Sequence, residues 1–332
     1  MMITITKNMF AIIISAVVSI ILIWLLVCFS NISIKSFKNL FSNLKLIPLL
    51  AVICSTFINF LITALKWRYI SERIGIAGNS LSFYIFFVGL SAIFSILLPP
   101  NISFFFVRSL ALKLLKGFSL TRSGFSLIYE NILGFFSVLL FLPILITFWI
   151  GITHETEILI LGMGVIILGL GAMIIYMRNI LRLCAIIYNK IRNTKIMRNK
   201  ISNIEFELEK IPLFTRHSST SILFISLFQH TNLSIRNYLI FLTSGMRINF
   251  FKIFAAYPLI YFSMLIGITP GNIGITEWTW TGALMSFGEN ANVAGEYAVF
   301  NKMVTIGAQI TAFFLMASTL FAIKKTKALR AY

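Results

Sequence analysis

The chain has 332 residues, of which 58% are hydrophobic and only 11% charged. That is far below the roughly 25% charged residues of a soluble domain, which excludes a soluble globular enzyme, and all ten acidic residues are Glu, which excludes sites built on Asp such as DxD sugar-nucleotide motifs, EF-hands and a Walker B acid. The net charge of +18 does not point to nucleic acid, because the basic residues lie in loops between apolar spans, where the positive-inside rule accounts for them, and no exposed domain remains to carry phosphate contacts.

Taken in chain order, the first apolar run is Met9–Phe29. It is too long for a signal-peptide core and lacks a small-residue cleavage pattern, so it reads as a membrane helix. The following stretch, Asn31–Lys45, carries Lys35, Lys38 and Lys45 on the side that the other loops place outside. Either it lies as an interfacial helix or the first span is misassigned. Further spans are Leu46–Leu65, Leu81–Leu98, Gly124–Ile150, Ile158–Met177, Ser218–Leu242, Phe250–Ile268 and Asn292–Ile323. Most are near the ~20 residues that a helix needs to cross the hydrocarbon core. Two shorter apolar stretches, Ile102–Leu115 and Ile273–Phe287, read as re-entrant hairpins or broken crossings. The fold expected is therefore all-α: a polytopic membrane protein with about eight transmembrane helices plus two short broken or re-entrant elements. It forms a single membrane domain over 1–332, with halves at roughly 1–177 and 218–332 joined by a basic loop, 178–217.

Charge gives orientation. The loop Arg178–Arg216 and the tail with Lys324, Lys325, Lys327 and Arg330 are basic and should be cytoplasmic, as should Lys66, Arg68 and Arg73 after the second span. Gly151–Glu157 has no Lys or Arg and should face outward. If each short element crosses, the blocks Leu81–Ile150 and Phe250–Ile323 have opposite senses, the inverted repeat common among carriers. Within the long loop, Arg178–Lys200 has a helical apolar stripe through Ile180, Leu183 and Ile187. It reads either as a surface helix that gathers anionic lipid or as a plain positive-inside loop. Cys28, Cys54 and Cys184 have no CxxC spacing and read as reduced packing residues. His154, His217 and His230 are scattered and suggest no metal site.

The chemistry gathers at two Pro-broken segments. One is Leu98-Pro99-Pro100-Asn101-Ile102, which leads to Arg108 and Glu130. The other is Pro270-Gly271-Asn272-Ile273-Gly274, which leads to Glu277 and Lys302. Breaks at membrane depth survive only against protein or a wet cavity, and paired breaks in two halves point to a transporter's central site. Arg108 suits phosphate through its planar fork, and Glu130 is placed to pair with it. Lys302 is placed to meet Glu277 or Glu296. A helix starting near Ile275 would aim backbone N–H groups at the break, an anion site that includes Pro270, Gly271 and Gly274. The alternative is that these residues are structural ion pairs or interfacial snorkellers, the reading preferred for Lys113, Lys116, Arg122 and Lys302.

Several segments resemble the membrane part of bacterial lysylphosphatidylglycerol synthases and the related flippase-like integral membrane proteins. Lys66-Trp67-Arg68 resembles a basic-aromatic patch closing an early helix. Pro99-Pro100-Asn101-Ile102 through Arg108, Ser119, Arg122 and Glu130 resembles the family's Pro-Gly…Arg…Ser…Glu-Arg stretch. Thr269 to Glu277 resembles its Pro-Gly-Gly-Leu-Gly-Val-x-Glu motif. Here Pro100 stands where Gly is usual, Asn272 replaces the second Gly, and the Glu-Arg pair is Glu130-Asn131. The resemblance implies a non-enzymatic carrier in the bacterial inner membrane that moves a phospholipid or lipid-linked sugar between leaflets. Arg108, Glu130, Pro270, Gly271, Gly274 and Glu277 would line the substrate path. Its partners would be membrane lipids, anionic or lipid-linked, and enzymes of lipid or glycan synthesis. No ATP motif is visible, so no cofactor is expected. With the chain ending at Tyr332, the soluble aminoacyl-transfer domain of the full synthases is expected to be absent, and the chain should not itself make lysyl-lipid. The rival readings are a membrane-embedded transferase using His154-Glu155-Thr156-Glu157, and an accessory subunit.

Overall fold

The computed structural model describes residues 2–118, 120–142, 216–246 and 248–329, with isolated positions between 145 and 179. The loop 151–157 with its His154–Glu157 group, the span Ile158–Met177, the Arg178–Lys200 stripe and Ser119 fall largely or wholly outside those residues. Among the described residues the regular structure is helical. The helices are α1 (Met2–Phe29), α2 (Ile34–Ser42), α3 (Leu46–Arg73), α4 (Leu81–Leu97), α5 (Pro100–Lys116) and α6 (Leu120–Leu139), followed by α7 (Arg216–Ser244), α8 (Phe250–Ile266), a 3-10 turn (Pro270–Asn272), α9 (Ile275–Ser286) and α10 (Ala291–Leu329).

Local chemistry fixes the boundaries. The Ser80 hydroxyl accepts from the Phe83 N–H to cap α4, and Asn249 caps α8 through the Phe251 N–H. Pro100 occupies the first helical position of α5, where its missing N–H is not needed. Pro100 in place of the family's Gly therefore costs the helix nothing. Helix α5 stops at Gly117, whose φ of 71° takes the left-handed cap.

Helix α3 has 28 residues and is about 42 Å long at the usual helical rise, which makes it a ruler for the molecule. At its Leu46 end, Val52 packs with Ile240 of α7, Ile253 of α8, Leu284 of α9 and Ala294 of α10. At its Arg73 end, Trp67 and Ile74 pack with Tyr84 of α4 and Leu112 of α5, and Ile70 packs with Tyr129 of α6 and Ile222 of α7. Helix α7 therefore runs antiparallel to α3, and the Lys45 N–H bonds the Thr243 carbonyl where the two meet at the Leu46 end. Helix α10 runs parallel to α3, since Phe313 and Met316 reach the Arg73-end cluster. Both α3 and the Ala291–Ala322 part of α10 are long and apolar enough to cross a membrane.

The two short elements are the return arms of helical hairpins. In the first hairpin, the Ser103 hydroxyl near the start of α5 donates to the Ser91 carbonyl of α4, and Lys116 at the end of α5 lies over the Phe83 ring at the start of α4. In the second, Lys252 at the start of α8 pairs at 2.9 Å with Glu289, just past α9. Each arm has 17 residues or fewer, about 25 Å at most and short of the ~30 Å hydrocarbon core. The arms turn back on each other at the breaks, and each lies at or below the short end of the range for a full crossing. The hairpins enter from opposite ends of α3, so the two blocks are inverted, although from sequence that arrangement depends on each short element crossing.

The Asn31–Lys45 stretch contains α2, whose Leu40 packs into the Leu46-end core and whose Phe41 meets the Phe300 ring edge-on. Lys35 and Lys38 stay exposed, so the stretch forms an amphipathic helix, the form that an interfacial segment would take. The outer surface is apolar as well as the core. Ile20, Ile47, Leu114, Phe314 and Phe321 are each more than half exposed, while Lys66, Arg108, Glu130, Arg236 and Glu277 are buried. That distribution suits a lipid surround. Cys28 and Cys54 are free and lie on this outer surface, not packed inside as expected.

Candidate functional site

The hairpins meet tip to tip. The Gly271 N–H donates to the Leu98 carbonyl at 3.2 Å, and the Asn101 amide donates to the Leu265 carbonyl at 3.1 Å. Backbone geometry at the second tip demands special residues. Gly271 (φ 58°), Asn272 (φ 55°) and Gly274 (φ 89°) all lie in the left-handed region, which Asn tolerates better than other side-chain-bearing residues. The Asn272 amide also donates to the Met264 carbonyl at 3.0 Å, tying the tip to its own hairpin. Asn in place of the family's second Gly is thereby absorbed. Gly274 is doubly constrained, because a Cβ there would fall 2.5 Å from the Leu22 Cβ of α1.

Glu277 does not sit on the cavity wall. It is 1% exposed, and its carboxylate accepts from the Gly274 N–H at 2.6 Å and from the Thr276 hydroxyl at 3.1 Å. The helix terminus read as an anion site thus holds the chain's own anion. The Lys302 ammonium lies 3.5 Å from the same carboxylate and also donates to the Gly271 carbonyl and, at 3.2 Å, to Thr276. The expected Lys302–Glu277 pairing is present. The snorkelling reading of Lys302 is not, since the side chain clamps the break. Of Pro270, Gly271, Gly274 and Glu277, only Gly271 is among the described residues lining the cavity.

At the first hairpin, the Arg108 Nη1 donates to Glu130 Oε2 at 3.0 Å, and both side chains are buried. The Arg108 guanidinium also lies over the rings of Trp67 and Phe104 at 5.3 and 5.4 Å. Glu130 has a second cation that sequence reasoning placed in a cytoplasmic loop. Lys66 is 4% exposed within α3, lies 3.5 Å from Glu130 Oε1 and donates to the Gln229 amide oxygen at 2.6 Å. Hydropathy ended the span at Leu65, whereas the helix continues for two more turns to Arg73.

Between these two centres lies a cavity of about 260 Å³. Its wall includes Lys66, Arg108, Glu130, Arg236 and Lys302, the tips at Asn101 and Gly271, and the phenols of Tyr257 and Tyr261. Helix α7 supplies a polar face that no motif announced. Gln229 bonds Asn59 and Thr63 as well as Lys66, and Asn232 exchanges bonds with Ser55. His230 contacts the Gly134 carbonyl at 3.2 Å and the Tyr257 hydroxyl at 3.0 Å. The carbonyl can only accept, so the neutral ring with Nε2–H donating there and Nδ1 accepting from Tyr257 satisfies both. With His230 neutral, the wall carries four cations and the Glu130 carboxylate; with Glu277, which lies off the wall but pairs with Lys302, the formal excess is two positive charges. Among the described residues no three His, Cys or Glu side chains gather to hold a metal.

An all-helical bundle with an apolar outer surface around an apolar core, enclosing a cationic cavity between two opposed hairpins, is a polytopic membrane protein. The family described as the lysylphosphatidylglycerol synthase TM region matches residues 12–312, and the chain belongs to it. This ties the protein to membrane-lipid metabolism or transport. Comparison with curated proteins gave no match.

Proposed function

We propose that the protein is a flippase-like carrier, not an enzyme. It moves the headgroup of an anionic phospholipid or lipid-linked sugar through the cavity between the hairpin tips while the acyl tails stay in lipid. The observation that carries this reading is the excess of cations on the cavity wall, Lys66, Arg108, Arg236 and Lys302 against the carboxylate of Glu130, at the junction of two opposed hairpins. Ionisable groups so deep are costly in an apolar surround and mark substrate paths. Broken elements meeting from opposite sides are the usual architecture of a central transport site. Under this reading the Arg73 end, with Arg68, Arg73, Lys113 and Lys116, faces the cytoplasm of a bacterial inner membrane together with the C-terminus. Enzymes of lipid or glycan synthesis would supply or consume the lipid.

The test is leaflet exchange. Purified protein in vesicles carrying a headgroup-labelled phosphatidylglycerol is treated with a membrane-impermeant quencher. Quenching beyond the outer-leaflet fraction, faster than in protein-free vesicles, is the expected result. Exchange at the protein-free rate for both phosphatidylglycerol and a polyprenyl-phosphate sugar would refute it.

A further inference from the structure

Three of the four cavity cations are already engaged: Lys66 and Arg108 by Glu130, and Lys302 by Glu277. Arg236 is different. It sits on α7, one turn beyond Asn232, and is 6% exposed. It makes no ion pair or hydrogen bond with any described residue, and its Nε, like that of Arg108, is buried without a partner. Its electrostatic neighbours are the phenols of Tyr257 and Tyr297, which carry no compensating charge. Tyr297 is occupied with Asn301 and the Asn237 carbonyl, so the ring that borders Arg236 is locked in place. A buried, uncompensated guanidinium is among the most costly groups that a fold can hold, and this one lines the cavity.

We infer that Arg236 is the anion-binding residue of the cavity, taking a phosphate-class group through its guanidinium fork, while Arg108 serves as a positioning residue held by Glu130. This rests on the carrier reading for the source of the phosphate, a lipid headgroup, but not for the anion site itself. The fork matches two phosphate oxygens at once, and Tyr257, also on the wall, is placed to border the same group. The inference moves phosphate recognition from the hairpin tips, whose Gly274 N–H is taken by Glu277, to the scaffold helix that faces them.

The experiment measures equilibrium binding of fluorescent short-chain phosphatidylglycerol to the purified full chain in uncharged detergent. Short-chain phosphatidylcholine, glycerol phosphate and inorganic phosphate serve as competitors. Arg236→Gln is expected to weaken phosphatidylglycerol binding by about tenfold or more, while Lys113→Gln, on an exposed surface, leaves it unchanged. Wild-type affinity in a folded Arg236→Gln protein overturns the assignment, and wild-type leaflet exchange in parallel would leave the carrier reading standing. If Arg236→Gln does not accumulate, Arg236→Lys carries the test. Charge is kept and the fork lost, so affinity falls about threefold to tenfold, and unchanged affinity overturns the inference. Displacement by glycerol phosphate or inorganic phosphate as effective as that by lipid supports Arg236 as an anion site but refutes a lipid source. Displacement by lipid alone supports both.

Discussion

Glu130 and Glu277 are both buried carboxylates beside a hairpin, but their partners differ, and so does the effect of removing each charge. Glu130 is shared by Arg108 and Lys66. Glu130→Gln strands two buried cations, and breaking a buried pair costs about 3–5 kcal/mol. Low yield and a sharply lowered melting temperature in detergent are expected, and a wild-type melt would show that the triad is not structural. In Glu277→Gln the amide oxygen can still accept from the Gly274 N–H, so only Lys302 loses its counter-charge, at a cost of about 1–3 kcal/mol. Adding Lys302→Met should recover part of the loss in a double-mutant cycle. Equal melting of the single and double variants would separate the two residues. At this scale the sequence was legible where a charge interrupts an apolar run beside a Pro, as with the pairings Arg108–Glu130 and Glu277–Lys302. Arg236 and Gln229 were illegible because they share a helix with many other polar residues, and nothing in their spacing says which face turns inward.

At the scale of elements, the hairpin tips are set by backbone conformation. Asn272→Gly keeps the φ of 55° accessible and loses one hydrogen bond to Met264, so a change within about 1.5 kcal/mol is expected. Asn272→Val should be far worse, since a β-branched residue there is a steric outlier. Comparing the melts of the two variants checks this, and equal stability would show that the tip is not held in this conformation. Hydropathy located every described apolar helix, because the Pro and Gly that break them are visible in sequence. It left open whether the chain turns back at each break or crosses. Hydrophobic length reports how far a segment could reach and not its direction, which depends on contacts such as Ser103 to Ser91 and Lys252 to Glu289.

Across the whole molecule, the two hairpin bases lie at opposite ends of α3. Single cysteines placed at Lys116 and at Glu289 in a chain freed of Cys28, Cys54 and Cys184 should label from opposite sides of the membrane, with Lys116 on the cytoplasmic side together with the C-terminus. Labelling from the same side would contradict the inverted arrangement. The most direct test joins the tips. A Cβ at Gly267 would lie 3.7 Å from the Asn101 Cβ, within the span of about 3.5–4.5 Å that a disulfide needs, although the φ of 50° at Gly267 adds strain of about 1–2 kcal/mol. In the same background, the Asn101→Cys, Gly267→Cys protein is reconstituted, oxidised and assayed for phosphatidylglycerol exchange. The cross-link should form, exchange should stop, and reduction should restore it. Failure to cross-link, or full exchange with the tips locked, would contradict a headgroup path between two hairpins that meet tip to tip.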